Sequence, residues 1–171
     1  MANDSAASAI LRDRERLQEL RAARYPSAGS LLQVTMNIPG PVKKLDITYE
    51  LFDLCMDALQ EALASAAYKI LLLERIDMML GPVAYLQGSA DAAALKLFCL
   101  SLEQEHPLSA YWDMDIYNSS GQAVSRKELG APPRRCYLCG EPAKVCGFMR
   151  RHSPEELIGH MAADLTAYTL T

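Results

Sequence analysis

The chain has 171 residues, half of them apolar, and a net charge of −4 at pH 7. A chain of this length buries one substantial core but falls short of two full domains, so we expect a single domain. No segment approaches the roughly 20 consecutive apolar residues of a membrane span. Because the N-terminus lacks the basic start, apolar block and cleavage site of a secretory signal, the sequence predicts a cytoplasmic protein without a membrane partner.

Hydrophobic periodicity predicts the elements in chain order. Apolar residues recur at helical spacing in three stretches and form short alternating or continuous runs in four others. The predicted elements are a helix over 6–24, a strand over 30–37, a helix over 43–66, strands over 69–76 and 82–88, a helix over 90–105 and a strand over 110–117. The tail is a Pro, Arg and Cys-rich loop followed by a helix that begins at Ser153-Pro154, a capping pattern.

Without the first helix and the tail, the order is strand, helix, strand, strand, helix, strand. This order predicts an α+β fold with a ferredoxin-like βαββαβ sheet, in which both helices cover one face and the other face is open. We expect one domain over 1–171, made of an N-terminal helix (1–29), this core (30–125) and a basic Cys-rich loop plus helix (126–171). In this topology residues 37–44, after the first strand, lie close to residues 106–115, before and within the last.

Charge is distributed unevenly along the chain. Residues 126–152 carry seven basic and two acidic side chains, a local charge of +5 that leaves −9 for the rest. A basic segment in an acidic chain is typical of a surface for an anionic ligand or an acidic partner, whereas general nucleic-acid binding usually needs a basic balance throughout. We therefore expect no nucleic-acid partner.

Two carboxylates, Asp113 and Asp115, alternate with Trp112, Met114 and Ile116 in the last predicted strand. Alternate strand residues share a face, so the carboxylates lie about 7 Å apart along the strand. Paired carboxylates of this kind hold Mg²⁺, which prefers oxygen ligands and completes its shell with water and phosphate. The alternative is an exposed strand whose outward residues are merely acidic. His106, just before this strand, is a candidate general base or only a helix end.

The stretch from Asn37 to Lys44 combines two prolines, a glycine and two lysines directly before a helix. Gly40 allows the backbone to approach a ligand closely, and Lys43 and Lys44 lie at a helix N-terminus, where amides and the helix dipole favour anions. The stretch therefore predicts a phosphate site. A plain strand-to-helix turn with surface lysines is the alternative.

The five cysteines are an odd number, and three of them lie between positions 136 and 146, which favours reduced thiols or a metal over disulfides. Cys136 and Cys139, followed by Cys146 and His152, have the residue types of a small zinc knuckle that would order the basic loop. Thiols without a metal are the alternative. Cys55 and Cys99 fall among apolar helix residues and are expected in the core.

Several of these pieces together resemble one family over nearly the whole chain. The chain is similar to citrate lyase holo-acyl carrier protein synthase, also called apo-citrate lyase phosphoribosyl-dephospho-CoA transferase. The most specific match is the run from Leu129 to Gly140. The other matching pieces are the segment Leu20 to Arg24, the stretch Asn37 to Lys43, Glu103 to Leu108, and Trp112 to Asp115.

The resemblance implies a nucleotidyltransferase-type reaction. Such enzymes take 2'-(5''-triphosphoribosyl)-3'-dephospho-CoA, attach its phosphoribosyl-dephospho-CoA part to a serine of the citrate lyase acyl carrier subunit, and release pyrophosphate. From the chemistry of this transfer, Asp113 and Asp115 would hold Mg²⁺, and His106 or an aspartate would take the serine proton. The phosphate-binding residues would be Asn37, Gly40, Lys43, Lys44, Arg134 and Arg135.

The acyl carrier partner is typically acidic, so we expect it to dock on the basic segment 126–152. Two other interpretations are compatible with the sequence. The same metal site would serve a hydrolase that cleaves a nucleotide triphosphate. The second alternative is a non-catalytic RNA-binding module with an open sheet and a zinc knuckle. Such a module would normally show exposed aromatic residues and a basic net charge.

Overall fold

A computed structural model describes residues 2–170, with side chains for 8–71 and 73–170, so residues 1 and 171 of the predicted domain lie outside the described residues. The elements are α1 (Ala2–Ala22), β1 (Ser30–Met36), α2 (Asp46–Ser65), β2 (Ile70–Met78), β3 (Gly81–Gly88), α3 (Ala92–Glu105), β4 (Trp112–Asn118), α4 (Ala143–Met149) and α5 (Pro154–Thr169). The α+β class and the predicted order of the core elements are confirmed.

The four strands form one sheet in the order β2-β3-β1-β4, and each neighbouring pair is antiparallel. In the β1 and β4 pair, Met36 lies opposite Trp112 and Thr35 opposite Asp113. The backbone N–H of Asn37 continues this contact by donating to the Tyr111 carbonyl at 2.8 Å. The end of β1 therefore lies beside the start of β4, as the sequence predicts.

The main core lies on one face of the sheet, under α2, α3 and α5. Leu32, Val34 and Met36 of β1 are buried there with Trp112, Met114 and Ile116 of β4, so the predicted alternation of β4 is confirmed. Leu51, Phe52, Cys55, Met56, Leu59 and Leu63 supply the apolar stripe of α2. Each fully buried side chain of this size contributes about 1.5–3 kcal/mol relative to an exposed one.

The opposite face is not open, which corrects the predicted arrangement. Leu17 and Leu20 of α1 pack on that face against Leu31, Val83 and Tyr85. The segment directly after α1 is fixed by Arg24, which donates to both carboxylate oxygens of Glu74 at 2.7 and 2.8 Å. With α1 in place, β1 is buried along its whole length instead of on one side, and even Gln33 is only 3% exposed.

Several element boundaries differ from the predicted ones for local reasons. Helix α2 begins at Asp46, three residues late, because the Thr48 hydroxyl donates to the Lys43 carbonyl and holds the preceding residues extended. A 3₁₀ turn over Ser109–Tyr111 delays β4 to Trp112. Helix α4 forms within the segment for which the sequence predicts a loop. The capping of α5 is confirmed, since Ser153 Oγ accepts from the Glu156 N–H at 3.1 Å.

Within residues 2–170, none of the helices combines the length and the apolarity that crossing a bilayer requires.

We expect Gly29→Ala to destabilise the fold strongly. Gly29 has φ +93°, and a Cβ there would lie 2.1 Å from the Gly88 carbonyl oxygen, so the turn into β1 must move. Gly130→Ala is the matched control, because Gly130 also has positive φ (+67°) but no neighbouring atom within 4 Å. Urea unfolding should show a loss of about 1 kcal/mol for Gly130→Ala and at least about 3 kcal/mol for Gly29→Ala. Equal losses would contradict the predicted clash.

Candidate active site

A polar cleft of about 370 Å³ lies between α1 and the face of β1 and β4 that α1 leaves partly uncovered. Its floor is the paired region of the two strands, where Gln33 lies opposite Asp115 and Thr35 opposite Asp113. Its lining residues are Ile10, Arg14, Leu17, Gln18, Arg21, Gln33, Thr35, Met36, Asn37, Ile38, Lys43, Leu80, Asp113 and Asp115. The cleft therefore joins the predicted carboxylate pair to the predicted phosphate stretch.

The acidic side of the cleft is formed by Asp113 and Asp115, which β4 places on one face. Burial and then the neighbouring Asp115 carboxylate raise the pKa of Asp113, while Arg134 and Lys96 oppose that rise. Arg134 Nη2 lies 3.3 Å from Asp113 Oδ1. Because the net shift of the Asp113 pKa is still upward, these neighbours compensate ionised Asp113 incompletely, and a bound cation would stabilise it.

The basic side is formed by Lys43, Arg14 and Arg21. Lys43 Nζ donates to the Ile38 carbonyl, which holds the lysine in the cleft. Burial lowers the pKa of Lys43, and the Arg14 charge adds to this effect. Arg21 Nη1 donates to Gln33 Oε1 at 3.2 Å, and its guanidinium lies 4.9 Å from the centre of the Tyr117 ring. Three cations therefore face the carboxylates across one cleft, an arrangement suited to a polyanion bound with a metal.

Four residues predicted to bind phosphate, Gly40, Lys44, Arg134 and Arg135, do not line this cleft. Lys44 pairs with Asp77 instead. Gly40 has the expected positive φ (+76°), but the atom closest to its missing Cβ belongs to Pro154 at 3.0 Å. Arg135 is exposed and donates to the Gly140 carbonyl at 2.9 Å. Gly40, Arg134 and Arg135 line a second cleft next to the first.

His106 lies on the other face of β4 from the two carboxylates. Its ring packs 4.4 Å from that of Trp112, which belongs to the main core. Its Nδ1 accepts from the Leu108 N–H at 3.2 Å, and its Nε2 lies 3.2 Å from the Tyr168 hydroxyl. Burial lowers its pKa. This position does not support a general-base role in the cleft and explains His106 as a packed residue under α5.

Sequence reasoning missed two buried charges near the site. Lys96 of α3 is only 5% exposed, and its Nζ donates to the Met114 carbonyl of β4 at 2.7 Å. Burial lowers the pKa of Lys96, while Asp115 opposes that change. The sequence did contain a signal for this burial, because Lys96 falls on the same helical face of α3 as the apolar residues Ala92 and Cys99.

Arg14 and Arg21 were missed as site residues because the sequence did not show which face of the sheet α1 would cover.

Glu103 is the other missed charge, and it holds the basic segment against α3. Its side chain is buried and pairs with both Arg126 and Arg134, the latter at 3.3 Å. Arg134 Nη2 thus lies the same distance from Glu103 and from Asp113. Removing the partners of a buried carboxylate is strongly destabilising. The two arginines are therefore held at Glu103, which fixes the position of the basic segment at the edge of the cleft.

The predicted cysteine cluster is assembled in the structure. One ligand atom from each of Cys136, Cys139, Cys146 and His152 lies within 4.8 Å of the others, an arrangement that could hold a metal ion. Burial raises the pKa of the Cys136 thiol, but the N–H groups of Cys139 and Leu138 donate to its sulfur and the net pKa is lowered. His152 Nε2 is buried without a hydrogen-bond partner among the described residues.

The other two cysteines lie in the core, as expected. Cys55 and Cys99 are fully buried. Burial raises the pKa of Cys99 to about 12 and that of Cys55 further. Since only the thiolate is a strong nucleophile, neither residue is suited to covalent catalysis at neutral pH.

The fold and the cleft define a class of protein: an α+β protein whose polar cleft sets three cations against paired carboxylates. A family model described as apo-citrate lyase phosphoribosyl-dephospho-CoA transferase matches residues 6–168. A Streptococcus pyogenes protein named probable apo-citrate lyase phosphoribosyl-dephospho-CoA transferase is 41% identical over 155 residues, covering 88% of this chain and 80% of the relative. An Escherichia coli protein named apo-citrate lyase phosphoribosyl-dephospho-CoA transferase is 32% identical over 151 residues, covering 88% and 81%. The chain belongs to the apo-citrate lyase phosphoribosyl-dephospho-CoA transferase family.

We expect Asp113→Asn to be at least as stable as the wild type at pH 7, because burial and Asp115 disfavour the ionised Asp113 in the folded chain. The folded pKa lies above the unfolded one, so protonation favours the fold, and wild-type stability rises relative to the variant as pH falls toward about 4. Urea unfolding at pH 7 and pH 4 measures both differences.

Asp57→Asn, on the exposed side of α2, serves as the control for loss of a surface carboxylate. A wild type that is clearly more stable than Asp113→Asn at pH 7, with the advantage lost in acid, would show that Arg134 outweighs burial at Asp113.

Proposed function

We propose that the chain transfers the phosphoribosyl-dephospho-CoA group from triphosphoribosyl-dephospho-CoA to a serine of the citrate lyase acyl carrier subunit, releasing pyrophosphate. Membership of the transferase family supports the reaction class. The observation that carries the proposal is the cleft itself, in which Lys43, Arg14 and Arg21 face Asp113 and Asp115. A triphosphate needs cations around its oxygens, and a carboxylate pair suits the metal that usually accompanies it.

Asp113 and Asp115 are the residues that would hold Mg²⁺. Their carboxylate oxygens are the ligand type that Mg²⁺ prefers, and the cleft of about 370 Å³ leaves room for water and phosphate oxygens in the rest of the shell. Bound there, Mg²⁺ would supply positive charge to the triphosphate. The raised pKa of Asp113 supports this role, because a bound cation would offset the burial and the Asp115 charge that disfavour its ionised form.

The side chains of the cleft would have separate roles in the transfer of the phosphoryl group. The serine oxygen attacks the α-phosphorus, the bond from that phosphorus to the bridging oxygen breaks, and pyrophosphate leaves with that oxygen. Lys43, Arg14 and Arg21 would neutralise the leaving pyrophosphate, and Arg134 would contact the phosphoryl group next to Asp113. The serine proton passes to an aspartate of the pair.

The core would be classed as ferredoxin-like. The strand order β2-β3-β1-β4 with antiparallel neighbours, and the placement of α2 and α3 on one face, support this assignment. The N-terminal helix is then an addition that closes one side of the cleft. It also covers the sheet face that an RNA-binding module of this plan would expose, so the structure gives no support to that alternative.

The metal at the cysteine cluster would be zinc. Three thiols and one imidazole are a common ligand set of structural zinc sites, and all four atoms lie within 4.8 Å of one another. Two observations support a bound metal: His152 Nε2 is buried without a hydrogen-bond partner among the described residues, and N–H groups that donate to Cys136 Sγ favour its thiolate. Such a metal would have a structural role, since all four positions of a tetrahedral site are filled by protein.

The carrier subunit would dock on the basic segment. There α4 exposes Val145, Phe148 and Met149, and Phe148 is 88% exposed. Arg150 and Arg151 follow directly and are also exposed. A small apolar patch beside arginines suits an acidic partner, because opposite charges speed the encounter and apolar contacts stabilise the complex.

We place the reaction in the cytoplasm, because the cysteines of the described residues are free thiols, which is typical of a reducing compartment.

We expect Asp113→Asn and Asp115→Asn each to lower the rate of transfer by about a thousandfold or more, because each removes a proposed ligand of the metal that offsets the triphosphate charge. The assay mixes the protein with triphosphoribosyl-dephospho-CoA, Mg²⁺ and apo-carrier. Mass spectrometry of the carrier measures transfer, and a coupled assay measures pyrophosphate.

Asp57→Asn is the matched control and should keep near-normal transfer with an unchanged circular dichroism spectrum. Near-normal transfer by both cleft variants would overturn the role of the carboxylates. Pyrophosphate release with unchanged carrier mass would instead identify a triphosphate hydrolase that uses the same cleft.

We expect the purified protein to contain about one zinc ion per chain when prepared in reducing, chelator-free buffer. Cys139→Ser should lose most of the zinc and lower the melting temperature, and because Cys139 is exposed the change leaves the core unaltered. Cys55→Ala, a core thiol outside the cluster, should keep its zinc. Elemental analysis decides the point, and wild-type protein without near-stoichiometric zinc would rule the site out.

A further inference from the structure

A second and larger cleft, of about 710 Å³, lies beside the first. One wall is the bend over Pro39 to Pro41, and the opposite wall is the Cys-rich segment with the start of α5. The reaction proposed above uses only the first cleft, which at about 370 Å³ is at the small end of the range for ligand sites. The donor has a nucleotide and a pantetheine arm beyond its triphosphate, so most of it must lie elsewhere.

The two clefts meet at the proposed reaction centre. Asn37 lines both of them. Arg134 lines the second cleft, while its Nη2 lies 3.3 Å from Asp113 in the first. A ligand whose reacting phosphate lies beside the Asp113 and Arg134 pair can therefore extend in both directions. On one side it meets Lys43, Arg14 and Arg21, and on the other it enters the second cleft.

The second cleft combines cations with apolar surface. Arg135 and Arg150 line it in addition to Arg134, and neither Arg135 nor Arg150 forms an ion pair with another described residue. Its apolar walls include Pro39, Pro154 and Leu157. Tyr137 also faces the cleft and is held by an edge contact with Tyr111 at 4.9 Å between ring centres. Arginines suit a diphosphate, and flat apolar walls suit a nucleobase or an alkyl amide chain.

We propose that the second cleft binds the dephospho-CoA portion of the donor, that is, an adenosine diphosphate ester with a pantetheine arm. The inference rests on the proposed function, which it deepens by dividing the donor between two clefts. Arg150 and Arg135 would contact the diphosphate. Cys136, Cys146 and His152 form part of the wall, so the cysteine cluster shapes this subsite without touching the reacting atoms.

The test uses dephospho-CoA itself, which carries the diphosphate, base and pantetheine arm but not the triphosphate. Isothermal titration of the full chain without Mg²⁺ should show binding, and Arg150→Gln should weaken it by about tenfold or more, as expected for loss of a charge-assisted hydrogen bond. Arg151→Gln is the matched control, since Arg151 neighbours Arg150 but does not line the cleft. It should change the affinity by less than about twofold.

A second probe, inorganic tripolyphosphate, tests the division between the clefts. Lys43→Gln should weaken tripolyphosphate with little effect on dephospho-CoA, and Arg150→Gln should do the reverse. Equal weakening of dephospho-CoA by Arg150→Gln and Arg151→Gln would show a general charge effect and overturn the subsite. So would the absence of dephospho-CoA binding to the wild type at millimolar concentration.

The two proposals fail in different ways. Transfer to the carrier with no effect of Arg150→Gln on dephospho-CoA affinity would remove the subsite and leave the function. Dephospho-CoA binding that depends on Arg150, in a protein that modifies no carrier, would keep the subsite and remove the function.

Discussion

The antiparallel pairing of β1 with β4 is the constraint on which the candidate site depends. It sets Thr35 opposite Asp113, and the Asn37 N–H bond to the Tyr111 carbonyl extends it by one step. Residues more than seventy positions apart in the chain are thereby fixed in register. Because a shift of one residue would turn Asp113 and Asp115 into the main core, the buried Trp112, Met114 and Ile116 hold the register and so aim the carboxylates.

The electrostatics of this cleft differ from those of an ordinary polar surface. Two carboxylates on one strand face repel each other, and the raised pKa of Asp113 shows that Arg134 and Lys96 do not fully offset the effect of burial and repulsion. Arg134 is also shared with the buried Glu103, and Lys96 is directed at a backbone carbonyl. The folded chain thus keeps local negative charge within reach of three cations, which favours a ligand that carries both signs, such as a metal polyphosphate.

Much of the fold and about half of the site could be predicted from the sequence, and the reason differs by element. Local patterns could be predicted, because they depend only on neighbouring residues. Examples are the alternation around Asp113 and Asp115 and the close spacing of the cysteines, both of which the structure shows. The helix α1 was predicted but its docking face was not, since Leu17 and Leu20 would pack equally well on any apolar surface. Arg14 and Arg21 could therefore not be placed in the cleft. Lys44 and His106 lie outside the cleft because each contacts a partner, Asp77 and Trp112 respectively, that is set by the tertiary structure.

The basic segment 126–152 forms one wall of the second cleft although it is highly polar. In residues 126–152 only Cys136 and Cys146 are buried, so apolar packing alone gives it little stability. Two anchors replace a core: the pair of arginines on Glu103 at one end and the cysteine cluster at the other. If the cluster holds zinc as proposed, the free energy of metal binding is also folding free energy for this segment. The geometry of the second cleft, and the contact between Arg134 and Asp113, would then depend on a metal that takes no part in the reaction.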